Sequence, residues 1–115
     1  MKKIIMVVLL FAMTLTMAVN TSANTIECYL GIKIQTDQFY ASITQTGSDE
    51  IGLRLDWMLE NTNTVIHGPS STTTGHFATT CSGYMTGLSG SWRGCFYYNG
   101  VLIDGYSYWQ DFNFI

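Results

Sequence analysis

Basic residues are scarce in this chain, which has five lysines and arginines against eight aspartates and glutamates. Two of the five fall within the first three residues. The chain after residue 23 therefore carries three isolated cations, Lys33, Arg54 and Arg93, and a net charge of −5. Binding to nucleic acid or to anionic lipid depends on clustered cations. The sequence therefore predicts neither kind of partner.

Recognisable catalytic and metal-binding motifs are also absent. The sequence contains no Gly-x-Ser-x-Gly nucleophile elbow, no phosphate-binding loop and no Asp-x-Asp calcium loop. The two histidines, His67 and His76, are nine residues apart, whereas zinc sites have closer pairs and three or four ligands. Asp56 and Glu60 fall on the predicted solvent face of a strand, where acids are hydrated. We therefore expect no enzyme activity, no metal and no cofactor.

The first 23 residues have the composition of a secretory leader. A basic start (residues 1–3) precedes an apolar run (4–13) and a small, polar stretch that ends in Ala23. This order of segments is typical of a signal peptide, here with cleavage after Ala23. We therefore expect a secreted protein with one domain, residues 24–115.

An uncleaved membrane anchor is the alternative interpretation of the leader. Even when it is extended to Val19, the apolar run has 16 residues, whereas a spanning helix needs about 20. A lipid anchor fits less well, because the residues before Cys28 lack the leucine and small residues of a lipoprotein cleavage site. The mature domain is thus expected not to span a membrane.

Period-two alternation of apolar and other residues dominates the chain after the leader. Every even position from Ile26 to Ile34 is apolar, and the same alternation recurs over residues 38–44. It is strongest over residues 51–60. A helix with 3.6 residues per turn does not produce this pattern, whereas a strand with one buried face does. The predicted inward residues of the third strand are Ile51, Leu53, Leu55, Trp57 and Leu59.

Shorter strands are predicted in the second half of the chain. An edge strand at 64–67 ends at Gly68-Pro69 and is followed by a Ser/Thr-rich loop, and further strands cover 76–81 and 91–98. The pair Asn99-Gly100 favours a type I′ hairpin turn, after which Gly105 permits a bend in the returning chain.

Six to seven short strands without a helix between them predict an all-β fold, a small antiparallel β-sandwich. The order Cys28, Trp57, Cys95 resembles the Cys-Trp-Cys pattern of antibody domains. The Asp-x-Gly-x-Tyr-x-Cys sequence of those domains does not precede Cys95. "Ig-like" therefore describes the expected architecture by analogy and names no family.

Three cysteines in an exported chain allow one disulfide and leave one thiol over. If the chain between Cys81 and Cys95 turns about Leu88, these two residues fall opposite each other on paired strands, close enough to bond. We predict this disulfide, which would stabilise the domain by about 3 kcal/mol in the chain-entropy model. Cys28 would then be a buried thiol. Pairing of Cys28 with Cys81 or with Cys95 is the alternative.

Aromatic residues near the C-terminus form the candidate binding surface. One face of the predicted ribbon fills the core through Trp92, Phe96 and Tyr98. Exposed tyrosine and tryptophan rings combine a large apolar face with a polar tip, as carbohydrate-binding and protein-binding surfaces do. The candidate contact residues on the other face are Arg93, Tyr97, Tyr106, Tyr108 and Trp109.

These features favour a secreted, non-catalytic binding or adhesion domain that contacts a glycan, a cell-wall component or another protein. The alternative is a small bacteriocin-like or toxin-like effector that acts on a target cell envelope, although this chain lacks the cationic character of such molecules. A third hypothesis is an inhibitor of an extracellular hydrolase that acts through an exposed loop at 68–75.

Overall fold

Two antiparallel sheets packed against each other make up the computed structural model, which describes residues 13–18, 24–103 and 108–115. Sheet A has the strand order β1-β2-β3-β6, and sheet B has the order β5-β4-β7-β8 with β9 also paired to β7. Within the described ranges the strands are β1 (Met13–Ala18), β2 (Thr25–Lys33), β3 (Gln38–Gln45), β4 (Ile51–Leu59), β5 (Ile66–Thr73), β6 (Phe77–Cys81), β7 (Ser89–Tyr98), β8 (Val101–Leu102) and β9 (Gln110–Asn113).

The predicted all-β sandwich is confirmed. Eight strands follow residue 23 in the described part of the chain, slightly more than the six to seven expected. None of the described residues forms a helix long and apolar enough to cross a membrane. The Ig-like detail of the fold stays a prediction.

The hydrophobic core lies between the sheets and is built from the alternating residues of β2, β3, β4 and β7. Ile51, Leu53 and Leu55 are at most 1% exposed, as the alternation predicts. Trp57 also packs against this core but stays half-buried, because its ring lies across Gly68 of the neighbouring edge strand. A Cβ at Gly68 would come within 2.3 Å of that ring.

Aromatic stacking joins the two sheets. The ring of Phe39, in sheet A, stacks on that of Trp92, in sheet B, with 4.6 Å between centroids and 2° between planes. Phe112 meets Phe39 edge-on at 4.8 Å. Offset-stacked and edge-on arrangements are the favourable ones for aromatic pairs. The predicted burial of Trp92 and Phe96 is confirmed, since both are at most 2% exposed.

The predicted hairpin at Asn99-Gly100 is confirmed. Both residues have positive φ, 50° and 80°, as a type I′ turn requires, and Tyr98 pairs with Val101 across the turn. Asn99 also ties the turn to the start of β4, because its backbone N–H donates to the carbonyl of Glu50 at 2.8 Å. The bend expected at Gly105 lies outside the described residues.

The predicted loop after Gly68-Pro69 is wrong. Strand β5 runs through both residues and through the Ser/Thr-rich segment to Thr73, so the loop that an inhibitor would use is a strand. The register with β4 shifts by one residue between Arg54 and Asp56, opposite Gly68-Pro69. Proline lacks the backbone N–H that pairing with a neighbouring strand needs, so it is tolerated only on an edge strand or at a bulge. Pro69 lies on an edge strand and beside a bulge.

The predicted Cys81–Cys95 disulfide is also wrong, because none of the three cysteines is disulfide-bonded. The prediction required Cys81 and Cys95 to lie on paired strands, but β6 pairs with β3 in sheet A and β7 pairs with β4 in sheet B. Cys81 lies opposite Tyr40 on the outer face of sheet A, and Cys95 lies on the outer face of sheet B. Cys28 faces the core. The alternative pairings fail for the same reason, because each thiol lies on a different face.

Strand β1 lies within the segment predicted to be a leader. Its backbone pairs with β2 from Met13 opposite Leu30 to Ala18 opposite Thr25. Cleavage after Ala23 would remove β1 and leave β2 at the edge of sheet A. Cleavage and secretion stay predictions.

Substitution at Gly90 tests the close approach of β7 to β4. Gly90 has φ +153°, and a Cβ there would lie 2.1 Å from the carbonyl oxygen of Met58, a backbone atom that cannot rotate away. We expect Gly90→Ala to lower the free energy of unfolding by at least about 2 kcal/mol. Gly83→Ala is the matched control, because no atom lies within 4 Å of the added Cβ. Equal stability of the two variants in urea denaturation would contradict the register given for β4 and β7.

Candidate functional site

The outer face of sheet B gathers both arginines of the described chain around one aspartate. In the β4–β7 register, Asp56 lies opposite Arg93 and Arg54 lies opposite Cys95, and these residues alternate with the core residues of the same strands. His67 of β5 lies opposite Asp56 on its other side. We call this surface the arginine–aromatic face, and define it as Arg54, Asp56, His67, Arg93, Cys95, Tyr97 and Trp109.

Asp56 is the centre of this face and is fully buried. Its Oδ1 accepts a hydrogen bond from Nε of Arg54 at 2.7 Å and lies 2.9 Å from Nδ1 of His67. Its Oδ2 accepts from Nη2 of Arg54 at 3.0 Å, from Nε of Arg93 at 3.0 Å and from Sγ of Cys95 at 3.4 Å. The prediction that Asp56 is a hydrated surface acid is therefore wrong. The side chain points outward as predicted, but its neighbours cover it.

The cations keep the buried carboxyl of Asp56 ionised. Burial alone would raise the pKa of Asp56, but hydrogen bonds from Arg54, His67 and Arg93 outweigh that effect and lower it to about 2. In return, the hydrogen bond to Asp56 raises the pKa of Arg54. One carboxylate and two guanidinium groups leave this patch with a net positive charge, although the chain after residue 23 is acidic.

Two aromatic rings lie beside the arginines. The guanidinium carbon of Arg93 is 4.4 Å from the ring centroid of Trp109, and that of Arg54 is 6.0 Å from the centroid of Tyr97. Both distances are within the range of cation–π contacts. Asp56 on one side and an aromatic ring on the other hold Arg93 in place, which reduces the conformational entropy that the side chain would lose on binding a ligand.

A cavity of about 300 Å³ opens beside Arg54. Tyr97 lines it together with the hydroxyl residues Ser70 and Thr72 of β5. Gly52 also lines it, and a Cβ there would come within 3.1 Å of Oγ1 of Thr72. Its volume is at the lower end of the range of small-ligand sites. Glu50 also lines the cavity, so a guanidinium, a carboxylate, a ring and two hydroxyl groups surround a space that suits a small polar group such as one sugar ring.

Three of the five predicted contact residues come together on this face. Arg93 and Tyr97 are on β7, and Trp109 reaches Arg93 from the segment before β9. Tyr108 is 45% exposed beside Trp109 in the chain. Tyr106 lies outside the described residues.

Sequence reasoning missed four members of the face: Arg54, Asp56, His67 and Cys95. The signal that could have found them is the cross-strand register. It places an acid on one strand between arginines on the same and the neighbouring strand. His67 was predicted as an isolated surface histidine, but it contacts Asp56.

Two of the three thiols in the described chain, those of Cys28 and Cys95, are buried. Cys95 is 2% exposed, and its thiol and His67 both contact Asp56 at different oxygens. A histidine that activates a cysteine contacts the thiol itself, whereas His67 contacts Asp56. Burial raises the pKa of Cys28 to about 12, which disfavours its thiolate. No group of three or more His, Cys, Asp and Glu in the described ranges is placed to hold a metal ion.

No protein-family model, curated protein or solved structure matches this chain. The arginine–aromatic face is the candidate binding site of this chain. That face offers two fixed cations, two rings and a small polar cavity.

Removal of the Asp56 charge tests its role in holding the face together. We expect Asp56→Asn to lower the free energy of unfolding at pH 7 by about 3 kcal/mol, because Arg54 and Arg93 lose their counter-ion. The pKa of Asp56 is lowered from 3.8 to about 2, so its contribution is present above pH 3.8 and is lost as the pH falls toward 2. Thermal unfolding should therefore show a larger loss of stability between pH 4 and pH 2 in the wild type than in the variant.

Asp111→Asn is the control for this experiment. Asp111 is exposed and accepts one hydrogen bond from the hydroxyl of Ser91. Surface substitutions of this kind change stability by about 0.5 kcal/mol or less. The interpretation fails if the two variants are equally stable at pH 7.

Proposed function

We propose that this chain is a secreted, non-catalytic binding domain whose arginine–aromatic face contacts an extracellular glycan that carries acidic groups. The observation that carries the proposal is the position of Arg93, which is bonded to buried Asp56 and stacked on Trp109 at the surface. Such an arrangement offers a cation and a ring together, already ordered before any ligand arrives.

The guanidinium nitrogens that do not donate to Asp56 support an acidic ligand. Within the described chain, Arg93 donates to Asp56 through Nε, and Arg54 donates to it through Nε and Nη2. Nη1 of Arg54 and both terminal nitrogens of Arg93 donate to no described residue. Carboxylate and sulfate groups accept from guanidinium nitrogens in strong, often bidentate hydrogen bonds.

The rings and the cavity support a sugar as the carrier of that acidic group. Tyr97 and Trp109 are both half-buried and can present part of a ring face to a pyranose. The cavity beside Arg54 adds the hydroxyl groups of Ser70 and Thr72, which can pair with sugar hydroxyls. The face extends over three strands of sheet B, so it suits a few adjacent sugar units of a polymer.

The environments of Cys95 and Asp56 support a binding role for the face over a catalytic one. The thiol of Cys95 is enclosed beneath the arginines, where a substrate cannot reach it. Asp56 is saturated by donors and has a pKa of about 2, so it is a poor acid or base near neutral pH. The leader-like composition of the first 23 residues supports an extracellular ligand.

Retention on insoluble polysaccharides tests the proposal. We expect the wild-type protein to bind polygalacturonate and purified bacterial cell walls more tightly than neutral cellulose, and added salt to weaken the binding. Trp109→Ala and Tyr97→Ala should each reduce retention by about tenfold, which corresponds to about 1.4 kcal/mol. Their melting temperatures should stay within a few degrees of the wild type, because both rings lie outside the core.

Tyr84→Ala is the matched control, because Tyr84 is a 74% exposed ring between β6 and β7 that lies outside the face. It should leave retention unchanged. Loss of folding in the Trp109 and Tyr97 variants would show that these rings serve the fold and not a ligand. Absence of retention on all three materials would contradict the proposal. Dye leakage from target cells would favour the effector hypothesis instead.

A further inference from the structure

Leader cleavage would create a free edge on sheet A. In the full chain this edge is covered, because β1 pairs with β2 over six residues. All six belong to the segment predicted to be removed. After cleavage, the backbone N–H and C=O groups of β2 that face β1 have no strand beside them. An open edge of this kind readily pairs with another strand.

The pairing of β1 shows what kind of strand this edge accepts. β1 is antiparallel to β2, and its apolar positions 13, 15 and 17 lie opposite the inward residues Leu30, Cys28 and Ile26. A strand added here must therefore be antiparallel, with apolar residues aligned to those of β2. The strand β2 itself meets this condition, since its own inward residues alternate in the same way.

We propose that the exported chain, residues 24–115, forms a symmetric dimer in which β2 pairs antiparallel with β2 of a second copy, centred on Leu30. In this register Leu30 lies opposite Leu30 of the second copy, and Cys28 lies opposite Ile32. The inward row of sheet A then continues across the interface, and sheet A becomes a six-stranded sheet shared by two copies. The proposal depends on removal of residues 1–23, which its test examines first.

Charge complementarity supports this register. Glu27 falls opposite Lys33 of the second copy, and the two-fold symmetry produces this pair twice. Both residues are on the outer face of sheet A, where the Lys33 ammonium lies 6.0 Å from the ring centroid of Tyr40. Lys33 is also the single lysine after residue 23. A register centred on Glu27 would instead place two carboxylates directly opposite each other, which is destabilising.

The other sheet edges in the described chain are less suited to pairing. β5 carries Pro69 and a register shift, β6 has five residues, β9 has four and β8 has two. Proline, bulges and short length are the usual features that block edge-to-edge association. β2 has nine residues and no proline. It is therefore the edge that a second copy would use.

The test begins with the full-length chain expressed with its own leader in a secreting bacterial host. Intact mass of the exported protein should correspond to residues 24–115. Light scattering after size-exclusion chromatography should show a dimer that dissociates on dilution, because one strand pair forms a small interface.

Charge reversal then tests the register. Glu27→Lys alone or Lys33→Glu alone places like charges opposite each other, so each variant should weaken the dimer by tenfold or more. The double variant restores both opposite-charge pairs and should dimerise as the wild type does. An equimolar mixture of the two single variants should form heterodimers, because their opposite charges then meet at both positions.

Glu60→Lys is the matched control, since it reverses an exposed acid at the end of β4 in the other sheet. It should leave the dimer unchanged. A retained leader, a monomer at all concentrations, or a dimer insensitive to both single reversals would each overturn the proposal.

Discussion

The antiparallel pairing of β4 with β7 determines both the core of this protein and its candidate binding face. Nine residue pairs join the two strands, from Ile51 opposite Tyr98 to Leu59 opposite Gly90. On the inner side this register brings Leu53 beside Phe96. On the outer side it brings Asp56 beside Arg93. A shift of one residue would exchange the two faces and bury the arginines in the core.

Asp56 makes that register more specific than apolar contacts alone would. A buried carboxylate is costly unless donors surround it, and here two arginines, a histidine and a thiol do so. Three different strands supply these donors. The hydrogen bonds to Asp56 therefore all form only when β4, β5 and β7 are paired in the correct register. The same arrangement leaves the outer nitrogens of the arginines directed away from Asp56. The interaction that fixes the strands thus also orders the groups offered to a ligand.

Much of the fold could be predicted from the sequence because alternation is a local signal. Residues 26–34 and 51–59 show which face of a strand is buried without knowledge of the neighbouring strand. The turn at Asn99-Gly100 is equally local, since both residues tolerate positive φ. The Cys81–Cys95 disulfide was wrong because it assumed that strands close in sequence are paired, whereas β6 and β7 belong to different sheets. Pairing between distant strands is not contained in a local pattern.

The candidate site was predictable in part for the same reason. Arg93, Tyr97 and Trp109 stood out as a cluster of aromatic and basic residues in the sequence. The burial of Asp56 was not predictable, because an outward-facing acid becomes buried only when long side chains on its own strand and on adjacent strands fold over it. Arg54 and Arg93 have such side chains, whose stems cover apolar surface while their charged ends reach the carboxylate. The composition of the sequence identified Arg93, Tyr97 and Trp109, whereas Arg54 and Asp56 are recognised only from the strand register.

The two proposed surfaces are compatible because they belong to different sheets. A dimer formed through β2 lies at the edge of sheet A, whereas the arginine–aromatic face is on the outer side of sheet B. Dimerisation would therefore leave both copies of the face uncovered. A polymeric glycan presents many equivalent acidic units, and two linked sites gain avidity on such a ligand without any new contact. In this proposal one small cavity and two partly exposed rings contact each sugar unit, and pairing of copies would add the avidity of a second site.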